Sequence, residues 1–372
     1  IPVLLNTFVI ALGSDKTVTA VSPEKGLLEI RAKSIILAMG CRERSRNALL
    51  IPGARGAGIL TAGTAQRYLN IEGYLPGRKI VIVGSGDIGL IMARQFVLEG
   101  CEVAAVVEIM PFSGGLPRNM KQCIEDFDIP VYYNSIIAEV RGKERVSSVL
   151  VGKVDAQRRL IPGTEFEIPC DTLLISAGLI PENELAEAAG IAMSAATKGA
   201  EVSETLETSL PGVFSCGNVL HVHDLVDFVS EEGEEAGRNA AAWLWEYGKN
   251  AAFPASDGDE PAVGPERAPL PDAAGQALPR PIPAISGAGV GGIVPQYVRH
   301  SASCGDVSFM FRPKTRCRDA VITAVSGERE LFRKRYPALT PGEMCRVRIP
   351  AEKLLHADTS GILFSIEGTP VE

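Results

Sequence analysis

Short apolar runs closed by turn residues occur in two similar series along the first half of the chain. The first series predicts strands at Val3–Leu12, Thr17–Val21, Leu27–Ala32 and Ser34–Gly40. The second series predicts strands at Val131–Val140, Val146–Val154, Phe166–Ile168 and Asp171–Gly178. The last run of each series lacks polar alternation and ends in a glycine, Gly40 or Gly178, which is typical of a strand buried on both faces of a parallel sheet. The repeat predicts two modules of one type.

The second module has a visible beginning and the first does not. An apolar strand at Lys79–Val83 opens the second module, whereas the chain starts at Ile1 inside an apolar run. The basic segment of a secretory signal does not precede that run. We therefore expect the chain to be a fragment whose first module lacks its N-terminal part.

Beyond Gly178 the pattern changes twice. The sequence predicts a short strand at Val213–Cys216 and then a helix rich in alanine and glutamate from Leu225 to Trp245. Prolines and small residues dominate from Ala251 to Pro283, and such a stretch buries too little apolar surface to offset the entropy of ordering it. This composition predicts an extended linker. A small β-rich domain is predicted after it, from alternating runs at Val307–Phe311, Ala320–Val325, Met344–Ile349 and Gly361–Ile366.

The turn that follows the strand Lys79–Val83 carries the most informative motif. Its sequence, Gly84-Ser85-Gly86-Asp87-Ile88-Gly89, has the spacing G-x-G-x-x-G and leads into a helical pattern over Leu90–Leu98. Between a buried strand and a helix, the first glycine allows a tight turn and the second lets a diphosphate approach the backbone. The third glycine lets the helix and the strand pack closely. Free N–H groups and the partial positive charge of the helix start attract the diphosphate, so the motif predicts a dinucleotide site.

Glu108 indicates which dinucleotide binds. It directly follows the predicted strand Glu102–Val107, at the offset of about 20 residues that is typical of the ribose-binding acid in such domains. A carboxylate at this position accepts hydrogen bonds from the ribose hydroxyls of NAD and repels the additional phosphate of NADP. Because no arginine directly follows Glu108, we favour NAD over NADP.

The composition excludes several other classes of protein. The 372 residues include 37 Lys+Arg against 45 Asp+Glu, and the net charge of -8 argues against nucleic acid or an anionic membrane as a partner, since both attract basic surfaces. No apolar run approaches the ~18 residues needed to span a bilayer. The 8 cysteines contain no C-x-x-C pair and are too dilute for a disulfide scaffold. We therefore expect a reducing, cytoplasmic setting.

Five segments together carry a resemblance to a known family. They are ILAMGCRER (Ile36–Arg44), IPG (Ile51–Gly53), VIVGSGDIG (Val81–Gly89), LLISAGLIPEN (Leu173–Asn183) and FSCGNVLHVHDLVDFVSEEGEEAG (Phe214–Gly237). In these segments the chain resembles the pyridine nucleotide-disulfide oxidoreductase family, flavoproteins with two dinucleotide-binding domains that include thioredoxin reductase-like members. The resemblance covers residues 1–248 and implies an oxidoreductase in which the first module binds FAD and the second binds NAD(P)H.

The resemblance also assigns a role to the turn after the strand at Val213–Cys216. It implies that Gly217 and Asn218 hold the pyrophosphate and ribitol of FAD, and that the helix from Leu225 points its N-terminus at the isoalloxazine ring. Family members usually carry Asp at position 218, so Asn218 keeps a hydrogen bond to a ribitol hydroxyl but has no charge. The opening FAD fingerprint of the family is absent, because the chain begins downstream of it.

Thiol chemistry is not expected, although thioredoxin reductases carry a C-x-x-C pair in the NAD(P)-binding module. Here the segment from Gly84 to Gly178 contains only Cys101, Cys123 and Cys170, which are far apart in sequence. Thiol–disulfide exchange needs two thiols close together. The sequence therefore argues against thioredoxin reduction.

A further segment, TAGTAQRYLNIEGYLPG (Thr61–Gly77), is similar to flavoprotein subunits that accompany an amino-acid, sarcosine or glycerol-3-phosphate dehydrogenase subunit. Those subunits also lack the cysteine pair. The similarity implies an oligomer with a dehydrogenase partner subunit that exchanges electrons with the flavin. The alternative is a non-catalytic scaffold subunit that holds a nucleotide while its partner does the chemistry.

The loop after Asn218 contains candidate catalytic residues. His221 and His223 could exchange a proton as the flavin is reduced, or could simply be exposed. A metal site is not expected, because two histidines at i,i+2 have no cysteine pair or third histidine nearby. The acidic run Glu231–Glu235 is interpreted as a solvated helix face.

The predicted fold class is α/β, with two Rossmann-like dinucleotide-binding domains, each with a β-meander, and a small C-terminal β-rich domain. The predicted segments are an incomplete FAD-binding domain (1–75), an NAD(P)-binding domain (76–180), a return segment that completes the FAD-binding domain (181–250), a proline-rich linker (251–283) and the β-rich domain (284–372). The predicted cofactor-binding residues are Gly40, Gly84, Ser85, Gly86, Asp87, Ile88, Gly89, Glu108, Gly178, Gly217, Asn218 and Asp227.

Overall fold

The computed structural model describes residues 2–247, 281–299 and 305–371. The chain forms two compact units. We call Arg42–Ile180 the continuous unit, and Ile1–Cys41 together with Pro181–Val371 the discontinuous unit. Within the described ranges, no helix combines the length and the apolar character that crossing a membrane requires.

The secondary-structure elements are as follows. The strands up to residue 181 are β1 (Phe8–Leu12), β2 (Thr17–Ser22), β3 (Gly26–Arg31), β4 (Ile35–Leu37), β5 (Cys41–Glu43), β6 (Ile59–Thr61), β7 (Lys79–Val83), β8 (Glu102–Val107), β9 (Val131–Tyr132), β10 (Ser135–Gly142), β11 (Val146–Lys153), β12 (Phe166–Pro169), β13 (Thr172–Ile175) and β14 (Leu179–Pro181). The later strands are β15 (Val213–Ser215), β16 (Ile282–Ser286), β17 (Tyr297–Val298), β18 (Val307–Phe311), β19 (Cys317–Ser326), β20 (Arg329–Leu339), β21 (Cys345–Ile349) and β22 (Ile362–Pro370). The helices are α1 (Ala62–Arg67), α2 (Asp87–Leu98), α3 (Pro117–Cys123), α4 (Glu184–Ala188), α5 (Val226–Glu246) and α6 (Ala351–Leu354).

A five-stranded parallel sheet with the order β6-β13-β7-β8-β9 forms the centre of the continuous unit. Ile80 and Ile82 pack on one face of this sheet against Phe96 and other apolar residues of α2, while Val81 packs on the opposite face. The antiparallel meander β10-β11-β12 covers that second face. Burial on both faces explains why β7 is apolar at four successive positions instead of alternating.

The discontinuous unit contains a second antiparallel meander, β1-β2-β3, and a parallel pair formed by β4 and β15. Helix α5 packs against both strands of this pair. Leu37 from β4, Val213 from β15 and Ala236 from α5 lie in one apolar core. Parallel pairing brings the carboxyl ends of β4 and β15 to the same edge.

Two of the predicted strands are interrupted in the structure for the same local reason. The strand predicted at Val3–Leu12 begins only at Phe8, and the strand predicted at Val131–Val140 is divided into β9 and β10. Asn6 has φ +50° and Asn134 has φ +51°, in the left-handed region that asparagine tolerates better than most residues. A residue in that conformation interrupts an extended strand.

The C-terminal strands form a five-stranded sheet with the order β17-β16-β22-β19-β20 and a separate pair, β18-β21. Phe309, Phe311 and Phe364 are fully buried between them, with ring centroids 4.8 and 5.7 Å apart. The end of the predicted linker, residues 251–283, is wrong, because β16 already begins at Ile282 and pairs with β17 and β22. Residues 251–280 of that prediction lie outside the described part of the chain.

Candidate functional site

The turn between β7 and α2 requires glycine at two positions. Gly84 has φ +95°, and a Cβ atom there would lie 2.2 Å from the backbone oxygen of Ser176. A Cβ atom at Gly89 would lie 2.6 Å from the backbone oxygen of Gly84. Gly86, the N-cap of α2, differs from both because a Cβ atom there would meet nothing within 4 Å. The turn is therefore tightly packed at Gly84 and Gly89, and it leaves free space at Gly86.

Glu108 is linked directly to this turn. It is 8% exposed, and its Oε2 accepts hydrogen bonds from the backbone N–H and the hydroxyl of Ser85, at 2.8 and 2.7 Å. Its Oε1 accepts the backbone N–H of Met110 at 2.8 Å. Two carboxylate oxygens can accept about four hydrogen bonds. Three protein donors therefore leave Glu108 able to accept at least one more from a ligand.

Hydrogen bonds of Asp87 and Ser85 connect the segment after β8 to the start of α2. Oδ1 of Asp87 accepts the backbone N–H of Leu116 at 2.8 Å and the Nδ2–H of Asn119 at 2.6 Å. The hydroxyl of Ser113 donates to the backbone oxygen of Ser85 at 2.9 Å. The carboxylate of Asp87, predicted from sequence to contact a cofactor, thus accepts protein donors.

A cavity of about 660 Å³ opens at this turn, within the volume range of small-molecule sites. Five residues predicted from sequence line it, namely Gly84, Ser85, Gly86, Glu108 and Gly178, whereas Asp87, Ile88 and Gly89 do not. Apolar residues supply much of the remaining wall, including Leu49, Ile51, Pro52, Val83, Val107 and Ile137. An apolar wall with a few polar groups fits a nucleotide whose ribose and diphosphate face Glu108 and the glycines.

The second predicted site lies in the discontinuous unit, where β15 ends. Gly217 has φ +73°, and its backbone N–H donates to a carboxylate oxygen of Glu232 in α5. Oδ1 of Asn218 accepts the backbone N–H of His223 at 3.0 Å. Gly40, with φ +76°, follows β4 at the same edge. Asp227 lies in the first turn of α5 and is exposed.

Two buried polar atoms around the Gly217–Asn218 turn fit a polar ligand. The hydroxyl of Ser215 and Oδ1 of Asn183 have no hydrogen-bond partner among the described residues. Asn183 is tied to the turn, because its Nδ2 donates to the backbone oxygen of Val219 at 2.8 Å. Buried polar groups without partners are rare in folded proteins, so these atoms indicate a place where a further polar group is accommodated.

Glu232 joins the two candidate histidines. Nε2 of His221 lies 2.8 Å from Oε1 of Glu232, and Nε2 of His223 lies 3.1 Å from Oε2. The side chains of His221, His223 and Glu232 are 6%, 1% and 2% exposed. Exposure of the histidines, one of the two sequence interpretations, is therefore wrong. The interpretation of Glu231–Glu235 as a solvated face is also wrong at Glu232.

Sequence reasoning missed Glu232, although the sequence contains a signal for it. Glu232, Ala236 and Ala240 are spaced at i, i+4 and i+8 and are the buried residues of α5. Residues at this spacing share one face of a helix. A glutamate in line with two small apolar residues therefore belongs to the packed face, where it needs partners.

Two pKa values in this cluster, those of Glu232 and His221, are lowered. Burial alone would raise the pKa of Glu232, but hydrogen bonds from His221 and His223 dominate and lower it from 4.5 to about 2. Burial lowers the pKa of His221 below 6.5, only partly opposed by its hydrogen bond to Glu232. Near neutral pH the cluster is thus an ionised carboxylate with a neutral His221.

Acid should destabilise the protein through these two groups. Each has a folded-state pKa below its ordinary value, so its contribution to stability is present above that value and is lost as the pH falls through the folded pKa. The loss begins near pH 6.5 for His221 and runs from 4.5 to about 2 for Glu232. For Glu232 it amounts to roughly 3 kcal/mol. Urea unfolding between neutral and acid pH measures this loss.

The Glu232→Gln variant should unfold with a weaker dependence on pH than the unaltered protein. Glu234→Gln is the matched control, because Glu234 lies on the same helix with its side chain 74% exposed. The control should reproduce the pH dependence of the unaltered protein. If the stability of Glu232→Gln depends on pH as steeply as that of the unaltered protein, Glu232 is not the source of this pH dependence.

C-terminal strands hold the loop that contains the histidines. The guanidinium of Arg312 donates to the carboxylate of Asp224 and, at 3.2 Å, to the backbone oxygen of Val222. The other carboxylate oxygen of Asp224 accepts the backbone N–H of Met344 at 2.8 Å. Arg346 pairs with Glu231 at 2.8 Å. Residues of the predicted β-rich domain thus hold the segment between Asn218 and α5 through hydrogen bonds and ion pairs.

The described cysteines are all free thiols. Burial raises the pKa of both Cys170 and Cys216 to about 11, with nearby Asp171 and Glu232 adding to the respective shifts. The thiolate is the reactive form of cysteine. These two buried thiols are therefore protonated at neutral pH.

The strand, glycine turn and helix of β7–α2, with an acidic residue after the next parallel strand, define a dinucleotide-binding protein of the Rossmann type. Residues 1–240 match the family described as pyridine nucleotide-disulphide oxidoreductase. The chain belongs to this family. Membership confirms the predicted α/β fold class, and the family is one of oxidoreductases that use FAD and NAD(P).

Individual relatives are more distant. The chain is 28% identical to one of the subunits of opine oxidase from Agrobacterium tumefaciens (strain Ach5) over 189 residues, which cover 48% of this chain and 36% of the relative. It is 31% identical to dihydrolipoyl dehydrogenase of Acholeplasma laidlawii over 209 residues, 55% of this chain and 56% of the relative. The chain thus spans only part of the length of these relatives. The fold resembles thioredoxin reductase of Lactococcus lactis, with TM-score 0.52, 20% identity and coverage of 64% of this chain and 74% of that one.

Proposed function

We propose that this chain is part of an FAD-dependent oxidoreductase that passes a hydride between a pyridine nucleotide and the flavin. The observation that carries the proposal is the cavity at the β7–α2 turn, where Gly86 is open to a ligand and Glu108 faces the same space. When both cofactors are bound, they supply the redox chemistry. The protein supplies their positions and the surrounding charge.

In the continuous unit, the backbone N–H groups at the start of α2 would hold the diphosphate, and Glu108 would accept a ribose hydroxyl. Glu108 keeps lone pairs after its bonds to Ser85 and Met110. The additional phosphate of NADP would bring negative charge against this carboxylate. These contacts support NAD as the preferred nucleotide.

In the discontinuous unit, Gly217 and Asn218 would hold the flavin nucleotide, with Gly40 leaving room at the same edge. His221 and His223 are the residues of this loop whose imidazole rings can exchange a proton. Their burial beside Glu232 keeps bulk water from them. These properties of His221 and His223 support a role in the proton exchange that accompanies flavin reduction.

The electrons would pass to or from a partner dehydrogenase subunit in an oligomer. Two relatives are named as subunits of larger enzymes, opine oxidase and sarcosine oxidase, and they support this part of the proposal.

NADH should bleach a bound flavin in the protein expressed from its whole gene. Purified protein is titrated with NADH without oxygen while the visible flavin absorbance is followed, and Kd is measured for NADH and NADPH by calorimetry. We expect bleaching by NADH and a Kd for NADPH at least about 10-fold higher, which corresponds to about 1.4 kcal/mol.

Other outcomes distinguish the alternatives. Protein that binds NADH and flavin but transfers no electrons would be the non-catalytic scaffold subunit. Protein that binds neither would contradict the proposal, and a lower Kd for NADPH would contradict the role given to Glu108.

A further inference from the structure

Glu232 accepts hydrogen bonds from three donors at different places in the discontinuous unit. The backbone N–H of Gly217 approaches from the end of β15, and the imidazoles of His221 and His223 approach from the following loop. The carboxylate itself comes from the second turn of α5 and is 2% exposed at its side chain. A buried carboxylate is stable only when such donors replace its hydration.

These contacts fix which nitrogen of each imidazole carries the proton. An ionised carboxylate only accepts hydrogen bonds, so each imidazole must donate through Nε2–H. In a neutral imidazole the other nitrogen, Nδ1, then carries the lone pair. One carboxylate therefore sets the tautomer of both histidines and also fixes the backbone N–H of the glycine beside them.

We propose that Glu232 is a positioning residue that holds the Gly217–Asn218 turn in its binding conformation and locks His221 and His223 as Nε2–H tautomers. This inference rests on the proposed function, in which that turn binds the flavin nucleotide. Within the loop, Asn218 Oδ1 accepts the N–H of His223. From α5, Glu232 accepts a hydrogen bond from the backbone of the turn itself, at the N–H of Gly217.

A metal ion is the competing explanation for the same cluster. The ligand atoms of His221, His223 and Glu232 lie within 4.8 Å of one another, and two histidines with one glutamate form a known zinc ligand set. A bound metal would replace the Nε2 protons, whereas a positioning carboxylate requires them. The two explanations therefore differ in the protonation of Nε2 and in metal content.

The first experiment uses the full chain without added cofactor. Nitrogen NMR of the imidazole rings reports the tautomer of each histidine, with assignments from His221→Gln and His223→Gln. We expect Nε2–H for both histidines at neutral pH. In Glu232→Gln, the amide NH₂ can donate to one Nε2, so we expect at least one histidine to switch to the Nδ1–H tautomer. Glu234→Gln should leave both tautomers unchanged.

The second experiment measures the Kd for FAD of protein expressed from the whole gene and stripped of flavin. We expect the Glu232→Gln variant to bind FAD about 10-fold more weakly, and the Glu234→Gln control to bind within about 2-fold of the unaltered protein. Glu232→Asp is the second variant if Glu232→Gln fails to fold. It keeps the charge but withdraws the carboxylate by one methylene, so it cannot reach all three donors together, and we expect a loss of about 3-fold or more.

The two experiments separate failure of this inference from failure of the proposed function. No FAD binding by the unaltered protein, with both Nε2–H tautomers present, would refute the flavin site but leave the tautomer assignment standing. Unchanged FAD affinity in both Glu232 variants, or histidines that keep Nε2–H in Glu232→Gln, would overturn the positioning role. One equivalent of tightly held metal, lost in Glu232→Gln, would overturn it in favour of a metal centre.

Discussion

The Gly86→Val variant should bind NADH at least about 30-fold more weakly than the unaltered protein, which corresponds to about 2 kcal/mol. Gly86 is the position of the β7–α2 turn where an added side chain meets no protein atom within 4 Å. A valine side chain would therefore occupy the space through which a diphosphate reaches the N–H groups of α2. Calorimetric titration with NADH measures the loss.

The fold should survive this substitution. Gly86 has φ -69° and ψ 165°, a backbone conformation that valine adopts readily, and the main cost is that valine is a poor N-cap, about 1 kcal/mol. Gly305→Val is the matched control, because a Cβ atom there also meets nothing within 4 Å and the residue lies among the C-terminal strands. NADH binding by Gly86→Val at the affinity of the control would show that nucleotide does not bind at this turn.

The Glu108→Gln variant should lose both stability and nucleotide preference. Either orientation of the amide places its NH₂ group against a backbone N–H, that of Ser85 or that of Met110. Leaving such a buried donor without an acceptor costs about 2 kcal/mol. We expect the Kd for NADH to rise about 10-fold and the preference for NADH over NADPH to shrink, because the repelling charge is gone.

Glu102→Gln provides the comparison for this variant. Glu102 opens the same strand, β8, but its side chain is 60% exposed and its ion pair with Lys79 lies at the surface. Exposed ion pairs contribute little, so this change should alter stability by less than about 1 kcal/mol and leave NADH binding intact. Urea unfolding measures the stability of both variants, and calorimetry measures their Kd for NADH. Equal losses in the two variants would contradict the role given to Glu108.

The sequence predicts the elements around the first site closely, because they are buried on both faces. The predicted strands Lys79–Val83 and Glu102–Val107 have the bounds of β7 and β8 in the structure. Their apolar runs end where the chain reaches the edge of the sheet, and Gly84 and Glu108 mark those ends. Local pattern and three-dimensional position coincide here.

Other features depend on contacts that no local pattern contains. Strand β20 was not predicted, because it lies at a sheet edge and carries charged residues such as Arg333, Lys334 and Arg335 between few buried ones. The role of Glu232 depends on His221, 11 residues away, and on Gly217, 15 residues away. Such pairs become visible only when β15 and α5 are placed side by side.

The hydrogen bonds and ion pairs between the C-terminal strands and the rest of the discontinuous unit have a consequence for a chain that has been cleaved. Gln296 exchanges hydrogen bonds with Val202 in both directions, Arg299 pairs with the buried Glu207, and Arg312 holds Asp224. These links do not depend on a continuous peptide between them. A protease that cuts the polypeptide between residues 250 and 280 would thus yield two pieces that stay associated and co-purify. Separating them would leave the buried carboxylate of Glu207 without the guanidinium of Arg299.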